Sequence, residues 1–255
     1  MRRHEGTFMK LVRWMIAIVV VLIAAPFVFL YLMQDRLLYP GAEAVETFGD
    51  LTVTRPDVTL RGWVLHPDAS DALIVFGGNG MSLSGFASRL GQCSDRAIYL
   101  LPYRGYEGQA GKPRERDLVD DGVALVAEAA KKHANVALAG ISLGSGIAIQ
   151  VAAETHPQRL LLVTPYDSIA NVGREAFGIP LDWLIRDRYD TTATVSRLGT
   201  LPVYVLQANN DQVIGSARTE ALVRSLPQAP VRWEHVATGH NSMLRTEAFC
   251  QALRF

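Results

Sequence analysis

The sequence predicts an α/β domain, a mostly parallel sheet with helices on both faces, behind an N-terminal membrane helix. Three observations point there. From about residue 58 to the end, short runs of strand length alternate with longer segments of helical periodicity. Several runs, such as ALIVF (72–76) and RLLLVTP (159–165), are almost wholly apolar, as strands covered on both faces are. The segment WMIAIVVVLIAAPFVFLYLM (14–33) holds twenty residues without a charge.

Taken in order, that first segment would span about 30 Å as a helix, at ~1.5 Å per residue, which is enough to cross a bilayer core. Pro26 lies inside it, and a membrane helix tolerates such a residue better than a soluble one. Arg2, Arg3, Lys10 and Arg13 precede the segment, and the mixed pair Asp35-Arg36 follows it. The positive-inside rule therefore places residues 1–13 in the cytoplasm and the main domain outside it, in the periplasm if the source is bacterial. The alternative is a cleaved signal peptide. Against it, the apolar run exceeds the usual ~7–15 residues and ends without a clean A-x-A site. The expected organisation is a tail (1–13), a signal anchor (14–33), a connector (34–50) and one domain (51–255).

The 255-residue chain carries 25 basic and 25 acidic side chains, so no net field draws it to nucleic acid. With 49% hydrophobic and 20% charged residues and no internal repeat, it has the composition of a folded protein. Cys93 and Cys250 fit no zinc or C-x-x-C spacing. They either pair in an oxidising exterior, across helices packed on one sheet face, or remain free thiols.

Within the domain, VTLRGWVL (58–65) and ALIVF are strands, a helix covers about 83–91, and AIYLLP (97–102) is the next strand. A longer helix runs from about Arg114 to Lys132 on the stripe Leu118, Val119, Gly122, Val123, Leu125 and Val126. NVALAGI (135–141), a helix to about Thr155 and RLLLVTP follow; residues 168–200 fit neither period. LPVYVLQA (201–208), a helix near 216–226, VRWEHVA (231–237) and a closing helix complete the series. Folds of this kind place their ligands beyond the carboxyl ends of the strands.

At one such end the chain reads Gly140-Ile-Ser142-Leu-Gly144, passing from strand to helix with no polar loop between. A turn that sharp needs small residues two positions either side of its apex, and it lifts the apical hydroxyl above the sheet. A serine needs a general base oriented by a third group, and here the expected chain order is Ser, acid, His. Only His156, His235 and His240 follow Ser142. His156 falls at the wrong edge of the sheet, and His235 alternates with Trp233 inside a strand. His240, at a carboxyl end in TGHNSM, is the expected base. Asp211 in NNDQVI is the expected acid, with Asp167 one strand earlier as the alternative. An oxyanion would be held by the Leu143 N–H and by the glycine-rich loop FGGNGMS, where Asn79 presents its amide. That loop lacks both the G-K-[ST] of a phosphate loop and the G-x-G-x-x-G spacing.

From about Asp35 onward the chain resembles the α/β-hydrolase superfamily. It is similar in particular to a membrane-anchored branch related to serine aminopeptidases and lysophospholipases. The segments carrying the resemblance are QDRLLYPG, FGGNG, YRGYEGQAGKP, GISLGSG, TPYDS, NNDQVI and GHNSM, in that order. The resemblance implies an eight-stranded, mostly parallel sheet with a short cap, a triad of Ser142, Asp211 and His240, and acyl-enzyme hydrolysis without metal or organic cofactor. The chain departs from the pattern twice. Gly77-Gly78 stands where many relatives have His-Gly, so the oxyanion loop is expected to be held differently. Glu107 interrupts a Gly-Tyr-Gly-x-Ser pattern and is expected to add a charge near the site entrance.

The expected activity is cleavage of carboxylic acyl esters, on small-molecule or lipid substrates, by a membrane-anchored serine hydrolase. A peptidase or amidase of the same fold and a non-catalytic tethered binder are the alternatives. Substrate selection is expected to lie in the cap, about 168–200, where Phe177, Ile179, Leu181, Trp183, Leu184 and Ile185 either form an apolar lid or only cover the sheet.

Overall fold

The structure is a computed structural model that describes the backbone of residues 2–255 and the side chains from Met9 onward. The side chains of Arg2 and Arg3, which enter the orientation argument, lie outside the described residues.

The apolar segment forms part of one helix, α1 (Arg2–Leu38), with Pro26 inside it. A stretch of it is long and apolar enough to cross a membrane, with a mean hydropathy of 2.9. Five residues expected in the connector, 34–38, are instead the last helical turn, and they are docked on the domain.

The domain continues through β1 (Leu51–Thr54), β2 (Thr59–Leu65), β3 (Asp71–Phe76), α2 (Leu83–Cys93), β4 (Ala97–Leu100), α3 (Glu115–Ala129), β5 (Asn135–Ile141) and α4 (Leu143–Thr155). It then runs through β6 (Arg159–Val163), α5 (Ile169–Phe177), α6 (Thr191–Thr194), β7 (Val203–Ala208), α7 (Ser216–Ser225), β8 (Arg232–Val236) and α8 (Glu247–Leu253). The eight strands make one sheet in the order β1-β2-β4-β3-β5-β6-β7-β8. Only β2 runs against its neighbours, β1 and β4. All other pairs are parallel. The strand β1 was not singled out in the sequence; it is short and alternates buried and exposed positions at the sheet edge.

Because side chains alternate across a strand, each apolar strand supplies two cores. Ala72, Ile74 and Phe76 of β3 join Leu118 of α3, Ile147 of α4 and Leu222 of α7 on one face. Leu73 and Val75 face the other way, onto Leu90 of α2 and Phe249 of α8. The helices begin where side-chain oxygens satisfy free N–H groups. Ser82 accepts from Gly85 N at 3.0 Å, Ser168 from Asn171 N at 3.1 Å and Thr246 from Phe249 N at 3.2 Å.

Two covalent and ionic ties hold the layers. Cys93 at the end of α2 and Cys250 on α8 form a disulfide, with Cα atoms 4.6 Å apart and 157 residues between them in sequence. The alternative of two free thiols is thus set aside. On the other face, buried Arg104 bridges Asp57 and Asp121, donating to the latter at 2.7 and 2.8 Å. Its hydrogen bonds to the Asp121 carboxylate hold the guanidinium in its charged form.

Reduction of the disulfide, or Cys93→Ser, is expected to lower unfolding free energy by about 2–5 kcal/mol, read from denaturant midpoints of full-length protein in detergent. Burial pushes the phenols of Tyr103, Tyr166 and Tyr189 well above their usual value. The folded state therefore keeps protons that the unfolded chain gives up above pH ~10. Stability is expected to be unaffected by these groups below that pH and to fall as pH rises beyond it, with phenolate absorbance appearing together with unfolding.

Candidate active site

The turn between β5 and α4 places Ser142 at φ +51°, a region that side-chain-bearing residues rarely occupy. The strain is held from both sides. Ser142 N donates to Val163 O at 2.9 Å, and Ser142 O accepts from Ser145 N at 2.8 Å and Ser145 Oγ at 2.7 Å. A Cβ at Gly144 would press into the Phe76 and Gly77 carbonyls, and one at Gly140 would meet Ser145 Cα at 2.6 Å. Both glycines are required by close backbone approach, as the motif implies.

Three residues expected to act together are in hydrogen-bonding contact. His240 Nε2 lies 2.9 Å from Ser142 Oγ, and its Nδ1 lies 2.7 Å from Asp211 Oδ2. An ionised carboxylate can only accept, so Nδ1 carries the proton, and in the neutral ring Nε2 is left to accept from the serine hydroxyl. The other Asp211 oxygen accepts from Val213 N at 2.9 Å and Ile214 N at 2.7 Å, which fixes the carboxylate's rotation. The loops bearing acid and base are stitched together by Asn209 N to Val236 O at 2.9 Å and Asn210 N to Thr238 O at 3.0 Å. The Asp211 side chain is 3% exposed and that of His240 11%, so both sit largely out of water.

The other candidates lie elsewhere. Asp167 is buried and occupied by Ser168 N, Asn171 Nδ2 and Arg218 at 2.9, 2.8 and 3.0 Å. His156 caps α4 in a left-handed conformation. His235 lies on the surface against Trp233, with Asn209 Oδ1 at 3.3 Å.

The loop after β3 approaches the serine closely; a Cβ at Gly78 would stand 3.4 Å from Ser142 Cβ. The side-chain amide of Asn79 points away from the serine, donating to Leu37 O at 2.9 Å and Leu38 O at 3.1 Å at the end of α1. Its main-chain N–H is what remains for the site. The Leu143 N–H opens α4 and has no acceptor within the helix. Among the described residues, neither N–H donates to a backbone carbonyl. The loop is held by Tyr103, which donates to Gly77 O at 2.7 Å. Tyr166 likewise supports the helix start through Leu143 O at 3.2 Å.

Glu107 is not at a site entrance. It is fully buried, and one carboxylate oxygen accepts from Ser82 Oγ at 2.7 Å, Ser84 N at 3.0 Å and Ser84 Oγ. Its carboxyl group ties the loop after β4 to the start of α2, where Ser82 and Ser84 close over it.

Above the serine lies a cavity of about 250 Å³. Its floor is Ser142, Leu143 and Asn79, and one wall comes from α5 and the following segment, including Phe177, Leu181, Leu184 and Ile185. These four of the six cap residues line it; Ile179 and Trp183 are outside, on the surface. The opposite wall was not anticipated: Leu30, Gln34, Leu37 and Leu38 of α1. The periodicity of the apolar run gives no hint of it, but the polar residues that end the run, Gln34 and Asp35, mark where the helix meets protein. Gln34 bonds Leu184 O and Arg186 N at 3.4 and 2.9 Å, and Asp35 pairs with Arg114 and Arg186 at 2.7 and 2.6 Å. Among the described residues, no cluster of His, Cys, Asp and Glu suited to a metal ion occurs.

The fold is decided by comparison with solved structures. The esterase PF2001 of Pyrococcus furiosus superposes with a TM-score of 0.63 over 81% of this chain and 87% of its own, at 15% identity. The chain has the α/β-hydrolase fold. No protein-family model matches it. Among curated proteins, it is 29% identical over 253 residues to the uncharacterized protein Rv2307c of Mycobacterium tuberculosis, covering 89% of this chain and 87% of that one. It is 28% identical over 210 residues to the human alpha/beta hydrolase domain-containing protein 17B, covering 79% and 71%.

Asp211→Asn is expected to lower the turnover of any serine-dependent reaction by about 10⁴-fold, with unfolding midpoints near wild type. Asp167→Ala, which removes the acceptor of Ser168 N and Asn171 Nδ2 and leaves Arg218 paired with Glu175 alone, is expected to cost about 1–3 kcal/mol of stability. Paired rate and denaturation measurements check both.

Proposed function

We propose that this protein is a membrane-anchored serine hydrolase that cleaves carboxylic acyl esters through an acyl-enzyme. The observation that carries this reading is the hydrogen-bonded line from Asp211 through His240 to Ser142, ending in a cavity walled largely by apolar side chains.

In the first step Ser142 Oγ attacks the ester carbonyl carbon as its proton passes to His240 Nε2. The carbonyl electrons move onto oxygen, and the main-chain N–H groups of Leu143 and Asn79 hold the resulting oxyanion. Each such donor is worth about 3 kcal/mol in the transition state. The imidazolium is stabilised by Asp211, whose carboxylate has its own two N–H donors and so does not need to rotate. When the oxyanion collapses, the bond to the leaving oxygen breaks, and His240 returns its proton there, releasing an alcohol. Water then repeats the sequence with His240 as base, giving a carboxylic acid and regenerating the Ser142 hydroxyl.

The anchor reading rests on the exposed apolar surface of α1 between Trp14 and Pro26 and on the positive charges before it. Residues 1–13 are then a cytoplasmic tail, 14–33 the span, and the catalytic domain, with its cap over about 168–200, lies outside the cytoplasm. The Cys93–Cys250 disulfide supports an oxidising location. Retention of the helix is favoured over cleavage because its last turns line the cavity. The comparisons support the same class: the Pyrococcus protein is named an esterase and the human one a hydrolase-domain protein.

A fluorophosphonate probe is expected to label Ser142 in the full-length protein and to leave Ser142→Ala unlabelled. His240→Ala should slow hydrolysis of a short acyl ester by at least about a thousandfold. Folded protein that takes no label would instead support a non-catalytic binder, and selective cleavage of aminoacyl amides would support a peptidase.

A further inference from the structure

We infer that the cavity over Ser142 opens into the bilayer, and that its substrate is a membrane-resident amphiphile whose acyl chain enters between α1 and the cap without crossing water. This rests on the serine hydrolase and anchor readings and adds to them a substrate source and a membrane-seated surface.

The first argument is a shared wall. Leu30 belongs to the uncharged span, and it lines the same cavity as Ser142. A cavity with one wall inside the membrane segment and its floor at the nucleophile bridges the two environments. Its lining is apolar apart from Gln34, Asn79, Ser142 and Tyr166, so it suits a hydrocarbon chain with one polar end at the serine.

The second argument fixes the depth. The Trp183 ring packs on Phe27 of α1, with ring centroids 5.6 Å apart. Phe27 lies six residues before Met33, the end of the apolar run, which is about 9 Å along a helix at ~1.5 Å per residue. With α1 spanning the membrane, the cap segment beside Phe27 lies at the headgroup and outer acyl layer.

The third argument is what the cap displays there. Trp183 is 70% exposed, Phe177 57% and Ile179 42%, and beside the cap Val213, from the loop between β7 and α7, is 55% exposed. Aromatic residues at the interface and apolar groups below it are the composition of a membrane-seated face. Arg186 stacks on the Tyr31 ring at 5.0 Å and shares Asp35 with Arg114, so both cations lying against this end of α1 have a carboxylate partner. The occupant of this apolar face is therefore the bilayer that α1 crosses, since face and helix are continuous through the Phe27–Trp183 contact.

The test uses full-length protein in phosphatidylcholine vesicles. Trp183→Glu with Ile179→Glu changes two residues outside the cavity lining and the triad. Hydrolysis of a water-soluble short-chain ester is expected to stay within about twofold of wild type, while that of a long-chain ester carried in the vesicles falls about tenfold or more. Equal vesicle rates in variant and wild type would overturn the inference. A second measurement does not depend on activity. With the native cysteines paired, Trp183→Cys offers a thiol for an environment-sensitive fluorophore. The label is expected to be quenched by lipids brominated along their chains; water-like, unquenched emission would overturn the inference even if the double variant misfolds. Wild-type protein inert toward both esters, with a quenched label, would reject the hydrolase reading and leave the membrane seating standing.

Discussion

The site depends on how closely two backbones approach at the end of the sheet. β3 and β5 are parallel neighbours with Phe76 opposite Gly140, so the chain leaves both strands at nearly one level. Because Gly144 has no side chain, the first turn of α4 can sit against the Phe76 and Gly77 carbonyls. Ser142 is forced to a positive φ between them, at a cost of about 1–3 kcal/mol. Three hydrogen bonds to its own backbone groups offset that strain. The same approach brings the loop after β3 against the serine, so the positions of Ser142 and of Gly78 are set by one strand register.

Around this point, tyrosines hold backbone carbonyls. Tyr103 holds the Gly77 carbonyl and Tyr166 the Leu143 carbonyl, on the two segments that border Ser142. Tyr39 joins Tyr189 at 2.8 Å and Asp187 at 2.9 Å, tying the end of α1 to the cap. Buried phenols suit such positions because burial keeps them protonated, so each remains a donor.

Much of this was legible in the sequence because it is local. Strand runs, the elbow and the position of His240 beyond β8 follow from periodicity and from which residues permit a sharp turn. Asp211 was legible because an acid stands after a buried strand, although Asp167 met the same condition. Long-range contacts separate them: Asp211 meets His240 across 29 residues, and Arg218 meets Asp167 across 51. Glu107 was misread because its burial depends on Ser82 and Ser84, more than twenty residues away, whose donors no local pattern pairs with it. The α1 wall of the cavity was illegible for the same reason on a larger scale: Gln34 meets Leu184 across 150 residues.

That wall changes what α1 is physically. Up to Pro26 nearly all of its described side chains are exposed, and no face differs from another. From Phe27 a partly buried stripe appears through Leu30, Gln34 and Leu38, at the i, i+3, i+7 spacing of a helix packed on protein. Polar groups enter on that side only where the domain can bond them: Gln34 to the cap, Asp35 to two arginines, and the last two carbonyls to Asn79. A helix end satisfied in this way is a mount rather than a tether, because swinging the domain would expose an ion pair and unbond two carbonyls together. Asn79 is then the shared element. Its side chain closes the end of α1 and it lines the cavity over Ser142, so the position of the serine relative to the apolar helix is set by a single residue's geometry.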